Sequence, residues 1–123
     1  MLKNAKYLNR LLKYDRIVIY GAGKIGIRVI DILEENGFLN KVVCFTVSDP
    51  VVEGRVFRGL PVKSVCTLRD EYSRAMFLLA VNSKIMPGIK EKVKELKIRH
   101  YMDAKKLYLE SYDGESGKLN TLL

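Results

Sequence analysis

The sequence predicts an α/β domain with about five parallel strands and helices on both faces of the sheet. Three observations carry this. The runs RIVIY at 16–20 and AMFLLAV at 75–81 are almost wholly apolar, as strands buried on both faces of a parallel sheet must be. Each is followed by apolar residues at helical spacing: Ile25, Val29 and Leu33 after the first, and Ile85, Ile89, Val93 and Leu96 after the second. Between the first strand and its helix lies Gly21-Ala22-Gly23-Lys24-Ile25-Gly26, which reads G-x-G-x-x-G. Strand, glycine turn and helix in that order are the context in which the motif carries meaning.

Taken in order, residues 2–14 form an amphipathic helix ahead of the sheet. Leu8, Leu11 and Leu12 make its apolar side, and Lys3, Lys6, Arg10 and Lys13 a basic stripe. This helix either covers an edge of the sheet with its charges solvated or lies on an anionic membrane surface. The first strand and the glycine turn lead into a helix over 24–36, which Asn36-Gly37 stops. KVVCFTV at 41–47 is the second strand and completes a right-handed βαβ unit. Residues 48–60 are irregular, with turns at Asp49-Pro50, Glu53-Gly54 and Arg58-Gly59 and a brief extended piece at Val56-Phe57. A further extended piece runs over 61–65, and a short helix capped by Ser64 or Thr67 reaches Tyr72. After the strand at 75–81, Asn82-Ser83-Lys84 turns the chain into a helix over 85–97 with Pro87 in its first turn. Residues 98–102 form the last parallel strand, 103–108 a closing helical turn, and 110–123 a tail or linker. The expected division is thus a helix at 1–14, a nucleotide-binding domain at 15–109 and the tail.

Composition narrows the function. A chain of 123 residues, 48% hydrophobic and 29% charged, makes one globular domain. No apolar run approaches the ~20 residues that cross a bilayer. The two cysteines, Cys44 and Cys66, read as buried thiols in a reducing cytoplasm, and a single histidine leaves almost no ligand set for a metal. The net charge of +8 suits an anionic partner, yet there is no zinc-finger spacing, RNP-like motif or dense basic block, so no nucleic-acid partner is expected. His100 has no nucleophile or carboxylate suggested beside it, and no catalytic residue is assigned. This chain alone is expected to bind rather than to turn over.

In the glycine turn each glycine has its own task. Gly21 turns where a side chain would clash, Gly23 lets a phosphate approach the backbone, and Gly26 lets the helix pack close to the strand. The first amides of the helix, unpaired and at the positive end of its dipole, suit an anion. The alternative is that all three glycines serve only the turn and the packing.

The stretches IVIYGAGKIGIRVIDILEENG, VVCFTVSDP, RGLPV and FLLAVNSK together resemble the small Rossmann-like N-terminal domains of bacterial sugar acyltransferases. These are of the sialic-acid O-acetyltransferase and bacillosamine N-acetyltransferase type. The stretches also resemble related domains of nucleotide-sugar dehydratases and glycosyltransferases of surface-polysaccharide pathways. The resemblance spans residues 16–102 and implies a nucleotide-sugar site lined by Gly21, Ala22, Gly23 and Lys24 and by Asn82, Ser83 and Lys84. Where the family often has F-x-D-D-D-P after the second strand, this chain reads Phe45-Thr46-Val47-Ser48-Asp49-Pro50, keeping Asp49 alone. No hexapeptide repeat of an acyltransferase is written in these residues.

The candidate cofactor-binding set is therefore Gly21, Ala22, Gly23, Lys24, Ile25, Gly26, Asp49, Asn82, Ser83 and Lys84. The expected ligand is a small-molecule nucleotide, a nucleotide sugar first, bound at the carboxyl ends of the strands at 16–20 and 75–81. NAD is an alternative, and Arg55 and Arg58 with Thr46 and Ser48 leave room for the 2′-phosphate of NADP. Ser83 either caps the helix that follows it or touches the ligand. Lys24, a cation at a helix N-terminus, either meets a phosphate or is solvated. Three functions remain open: an accessory domain in nucleotide-sugar metabolism beside an attached or partner catalytic domain, the NAD(P)-binding half of an oxidoreductase or dehydratase, or an interaction module.

Overall fold

The computed structural model describes residues 5–50 and 54–114, the last five by their backbone. The expected start of the first helix at 2–4, the segment 51–53 and the tail from 115 onward lie outside the described residues.

The protein is a Rossmann-like α/β domain. Its strands β1 (Arg16–Tyr20), β2 (Val42–Val47), β3 (Val56–Phe57), β4 (Leu60–Ser64), β5 (Ala75–Leu79) and β6 (Tyr101–Asp103) form one sheet in the order β3-β4-β2-β1-β5-β6. Every pairing is parallel except that of β3 with β4. The five expected parallel strands are present, and β3 adds a sixth at the edge. It pairs because Arg58 and Gly59 both have positive φ, 53° and 80°, the backbone of the tight two-residue hairpin turn.

Alternation along the central strands divides the core. Ile17 and Ile19 of β1 face one side with Phe45 and Leu78, under α1 (Lys6–Arg10), α2 (Lys24–Glu35) and α4 (Lys105–Gly114). Val18 and Tyr20 face the other with Phe77 and Leu79, under α3 (Met86–Glu95). Successive strand residues point to opposite faces, so one pentapeptide anchors both layers. The crossovers leave β1 on one face and β5 on the other, which places a switch in connection direction between these adjacent strands.

Two helices end in the same way. Gly37 at φ 79° follows α2, with Phe38 N donating to Leu33 O at 2.8 Å and Gly37 N to Glu34 O at 3.2 Å. Lys97 at φ 59° follows α3, with Ile98 N donating to Val93 O at 3.0 Å and Lys97 N to Lys94 O at 3.1 Å. These are Schellman closures. The second consumes Lys97 and Ile98, so β6 begins at Tyr101 rather than at 98. α4 continues to Gly114, past the expected start of the tail.

Several side chains depart from expectation. Leu8 and Leu11 are buried, but Leu12 is 47% exposed. The helix tightens into a 3-10 turn at Leu11–Lys13, and the residue next to an inward Leu11 is turned outward. Ile85 is 51% exposed because it lies in the turn before α3, and Met86 takes the buried place. The short helix toward Tyr72 is two 3-10 turns, Val65–Thr67 and Arg69–Glu71. Cys44 is buried in β2, whereas Cys66 is exposed in the first of these turns. Among the described residues no helix is long and apolar enough to cross a membrane.

The glycine turn is held by backbone packed on backbone. Gly21 has φ 125°, and a Cβ there would stand 2.4 Å from the Ala80 carbonyl oxygen. A Cβ on Gly26 would stand 2.4 Å from the Gly21 carbonyl oxygen and 3.3 Å from the Phe45 ring. Gly21 N donates to Thr46 O and Ala80 N to Tyr20 O, both at 2.8 Å. The end of β1 is thus stitched to both neighbours, and α2 starts against it with no room for a side chain.

Three outcomes follow for stability and reactivity. Gly21→Ala should cost about 3 kcal/mol in urea unfolding, from strained φ and a clash with rigid backbone, while Gly23→Ala, which meets nothing within 4 Å, should cost under about 1 kcal/mol. Leu11→Ala should cost about 2–5 kcal/mol and Leu12→Ala no more than about 0.5 kcal/mol. Burial pushes the Cys44 thiol up to about 11 from 9.0, Lys63 lowering and Glu71 raising it further. The fold holds this proton longer than the unfolded chain, so the stabilisation is complete below about pH 9 and is lost as pH rises through about 11. A thiol reagent at pH 8 should label Cys66 in the native protein and Cys44 only on unfolding.

Candidate functional site

The site starts from the amino end of α2. Gly23 is the N-cap residue, in extended backbone (φ −134°, ψ −155°), and no side chain caps this end. Ile27 N donates to Gly23 O at 3.0 Å, so the amides ahead of it have no acceptor within the helix. A Cβ on Gly23 would meet nothing within 4 Å. The first turn holds no acidic residue and carries Lys24, which is exposed. The turn therefore presents unpaired donors, the positive end of a twelve-residue helix and a cation to open space.

Beside it lies a cleft of about 490 Å³. Ile25 of α2 forms one wall. Leu79, Val81, Asn82 and Ser83 at the carboxyl end of β5 form the floor, Met86, Pro87 and Lys90 of α3 a second wall, and Asp103, Ala104, Lys105 and Tyr108 at the end of β6 and the start of α4 a third. Parallel strands collect their carboxyl ends on one edge, and an open α/β sheet has its crevice there. The Tyr108 hydroxyl accepts from Arg28 Nη1 at 2.9 Å, which ties α4 to α2. Asp103 Oδ1 accepts the backbone N–H of Lys105 at 3.0 Å and caps α4.

The structure brings two of the expected segments together. Gly21 abuts Ala80 and Val81, so the glycine turn and the Asn82-Ser83 turn are neighbours, with Ile25, Asn82 and Ser83 in the cleft lining itself. Ser83 does not cap α3, whose amino end carries no side-chain cap; Asn82 Oδ1 accepts the N–H groups of Lys84 and Ile85, each at 3.0 Å, and closes the turn ahead of that helix. Ser83 stays exposed on the cleft rim, and Lys84 points outside the lining.

Other expected residues lie elsewhere. Asp49 is exposed beyond the end of β2, on the side of Tyr20. Burial raises the Tyr20 hydroxyl, its hydrogen bond to Ser48 lowers it, and the charges of Cys66 and Asp49 raise it. Of the grouping foreseen for a 2′-phosphate, Arg55 is exposed, and the other three residues have partners within the fold. The buried Thr46 hydroxyl donates to Lys63 O at 2.7 Å, Ser48 Oγ bonds the Tyr20 hydroxyl at 2.6 Å, and Arg58 pairs with Asp31 at 2.7 Å. His100 precedes β6, at the amino edge of the sheet, and its Nδ1 bonds the Tyr14 hydroxyl at 3.1 Å. Sequence reasoning missed Lys90, Asp103, Lys105 and Tyr108. The signal for Asp103 was its place directly after the last parallel strand, where ligand-facing residues collect.

A second cleft of about 420 Å³ lies between α1 and the far end of α2, lined by Leu8, Leu12, Glu35, Phe38 and Lys41 among others. It faces the carboxyl end of α2 and includes Glu35, the wrong polarity for an anion.

No family model and no curated protein matches this chain. Two solved structures share its fold. One is a mutant of perosamine N-acetyltransferase from Caulobacter crescentus in complex with CoA and GDP-perosamine, at 22% identity and a TM-score of 0.53. The likeness covers 68% of this chain and 39% of that one, so this chain matches well under half of the acetyltransferase. The other is RSP, a Rex-family repressor, at 15% identity and a TM-score of 0.54, covering 96% of this chain and 70% of that one. At these identities the likeness is one of fold, and it is Rossmann-like in both.

Proposed function

We propose that this domain binds a diphosphate-bearing nucleotide, a nucleotide sugar foremost, with the diphosphate at the amino end of α2 and the remainder in the adjoining cleft. One observation carries the reading. The uncapped amides that follow Gly23, a residue whose missing side chain would meet nothing within 4 Å, lie directly beside a cleft of ligand size at the carboxyl edge of the sheet. Such a terminus attracts phosphate through unpaired N–H groups and the helix dipole together. A volume of about 490 Å³ is within the range of small-molecule sites. Lys24, Lys90 and Lys105 supply positive charge around it, while Ile25, Val81, Met86 and the Tyr108 ring offer apolar surface for a base or a sugar face.

The role we propose is that of an accessory domain in nucleotide-sugar metabolism, working beside a catalytic domain attached to it or bound to it. Two things support this setting. The glycine turn, the Gly59 to Val62 stretch and the Asn82 turn resemble those of sugar acyltransferase domains, and the fold recurs in a sugar N-acetyltransferase crystallised with a nucleotide sugar. On this reading the chain holds the ligand, and hydride or acyl transfer is performed elsewhere, since such steps need a positioned acid–base group as well as a bound ligand.

A thermal-shift panel of UDP-, GDP- and CDP-sugars, NAD(H), NADP(H) and coenzyme A tests this. A ligand at about ten times its dissociation constant stabilises by about 1.4 kcal/mol, which raises the Tm of a domain this size by roughly 5 °C. A nucleotide sugar should give the largest shift. Gly23→Val should abolish it while costing the unliganded fold about 1 kcal/mol through a poorer N-cap. A shift from NAD above that of every nucleotide sugar would favour the oxidoreductase reading, and full binding by Gly23→Val would move the phosphate away from the turn.

A further inference from the structure

Dinucleotide-binding domains of this fold hold the ribose hydroxyls with an acidic residue at the end of the second strand. Here that place is Val47, which packs against the core, and Asp49 is exposed outside the cleft. The nearby hydroxyls are engaged, Thr46 by Lys63 O and Ser48 by Tyr20. On the other flank of β1 the situation is reversed. Among the described residues that line the cleft, Asp103 is the one carboxylate. It is registered with Leu79, and Leu79 with Tyr20. Strands lie roughly 4.8 Å apart, so Asp103 stands two spacings, about 10 Å, from the end of β1 where the glycine turn begins. That is the direction in which the cleft extends from Ile25. One of its oxygens, Oδ1, is taken by the Lys105 amide. Among the described residues no hydrogen bond is made by Oδ2.

We propose that Asp103 receives the vicinal hydroxyls of the ligand's pentose or hexose, so that the sugar lies over β5 and β6 and not over β2. The inference rests on the diphosphate reading above and adds the direction of the ligand and the residue that selects it. An ionised carboxylate only accepts hydrogen bonds, and those from hydroxyls to a charged acceptor are about twice as strong as neutral ones. A carboxylate near a phosphate repels it, so Asp103, in a lining that also carries Lys90 and Lys105, favours a hydroxyl-bearing group over the phosphate itself. Asp103 is thereby a specificity residue for hydroxylated ligands, and its bond to Lys105 holds the carboxylate in place.

The test separates this role from helix capping. Asparagine caps a helix as well as aspartate does, so Asp103→Asn keeps α4 and removes the charge. Binding is measured by calorimetry for wild type, Asp103→Asn and Gly23→Val. The probes are inorganic pyrophosphate, UDP and GDP, their 2′-deoxy forms, UDP-glucose and GDP-mannose. Removing a negative charge alone would leave every anionic probe unchanged or tighter. The proposal instead expects Asp103→Asn to leave pyrophosphate unchanged or tighter while weakening the preferred hydroxylated probes about tenfold. If the lost preference is that of UDP and GDP over their 2′-deoxy forms, the ribose sits on Asp103. If it is that of the nucleotide sugars over UDP and GDP, the hexose does. Wild-type protein with neither preference, or Asp103→Asn retaining both, overturns the proposal. Gly23→Val binding as wild type does overturns the placement of the diphosphate and leaves the Asp103 result standing on its own arms. Wild type binding none of the probes overturns both.

Discussion

The contact of Gly21 with the Ala80 carbonyl is the constraint on which the rest of this structure depends. A bare Cα at φ 125° lets the end of β1 pass against the backbone leaving β5, and Gly26 then packs on Gly21 in turn. No side chain fits at either point. The result is that the turn into α2 lies beside the carboxyl end of β5, and Ile25 of its first turn reaches the cleft lining. Move that start outward and the cleft loses the wall that Ile25 provides.

Two kinds of glycine are therefore mixed in one motif. Gly21 and Gly26 are required by packing, and either would be required in a domain that bound nothing. Gly23 is not: its backbone is in an extended region open to other residues and its Cα faces open space. A purely structural account of G-x-G-x-x-G explains the outer glycines by packing and the middle one by its N-cap position, where glycine is among the favoured residues. On the proposed reading, an anion at the α2 amides gives Gly23 a second reason, an approach without a side chain beside it.

Much of this was legible in the sequence, and what was not has identifiable causes. RIVIY, the glycine turn and the four-residue spacing of Ile25, Val29 and Leu33 are local signals, and strand, turn and helix follow them directly. Burial within a helix was less readable where the helix changes type, as at Leu12, or begins a residue late, as at Ile85. The sixth strand, β3, is two residues long and exists only through pairing with β4 across the Arg58-Gly59 turn, which no periodicity reveals. In the site, the glycine and Asn82 turns could be found because each follows an apolar strand. Asp103 was legible only as the residue after the expected last strand, and the structure makes it the last residue of β6, because Lys97 and Ile98 close α3 and move the strand's start to Tyr101. Thr46 and Arg58 looked available for a phosphate, and only the tertiary structure commits them to Lys63 and Asp31.

The most direct measurement of the central claim is a titration of 15N-labelled protein with UDP-glucose followed amide by amide. If the diphosphate sits at the start of α2, the largest shifts fall on Gly23, Lys24 and Ile25, with a second group at Asn82, Ser83 and the Asp103 to Lys105 stretch. Shifts confined to the cleft around Leu8, Glu35 and Phe38, with Gly23 to Ile25 unmoved at saturation, would contradict it.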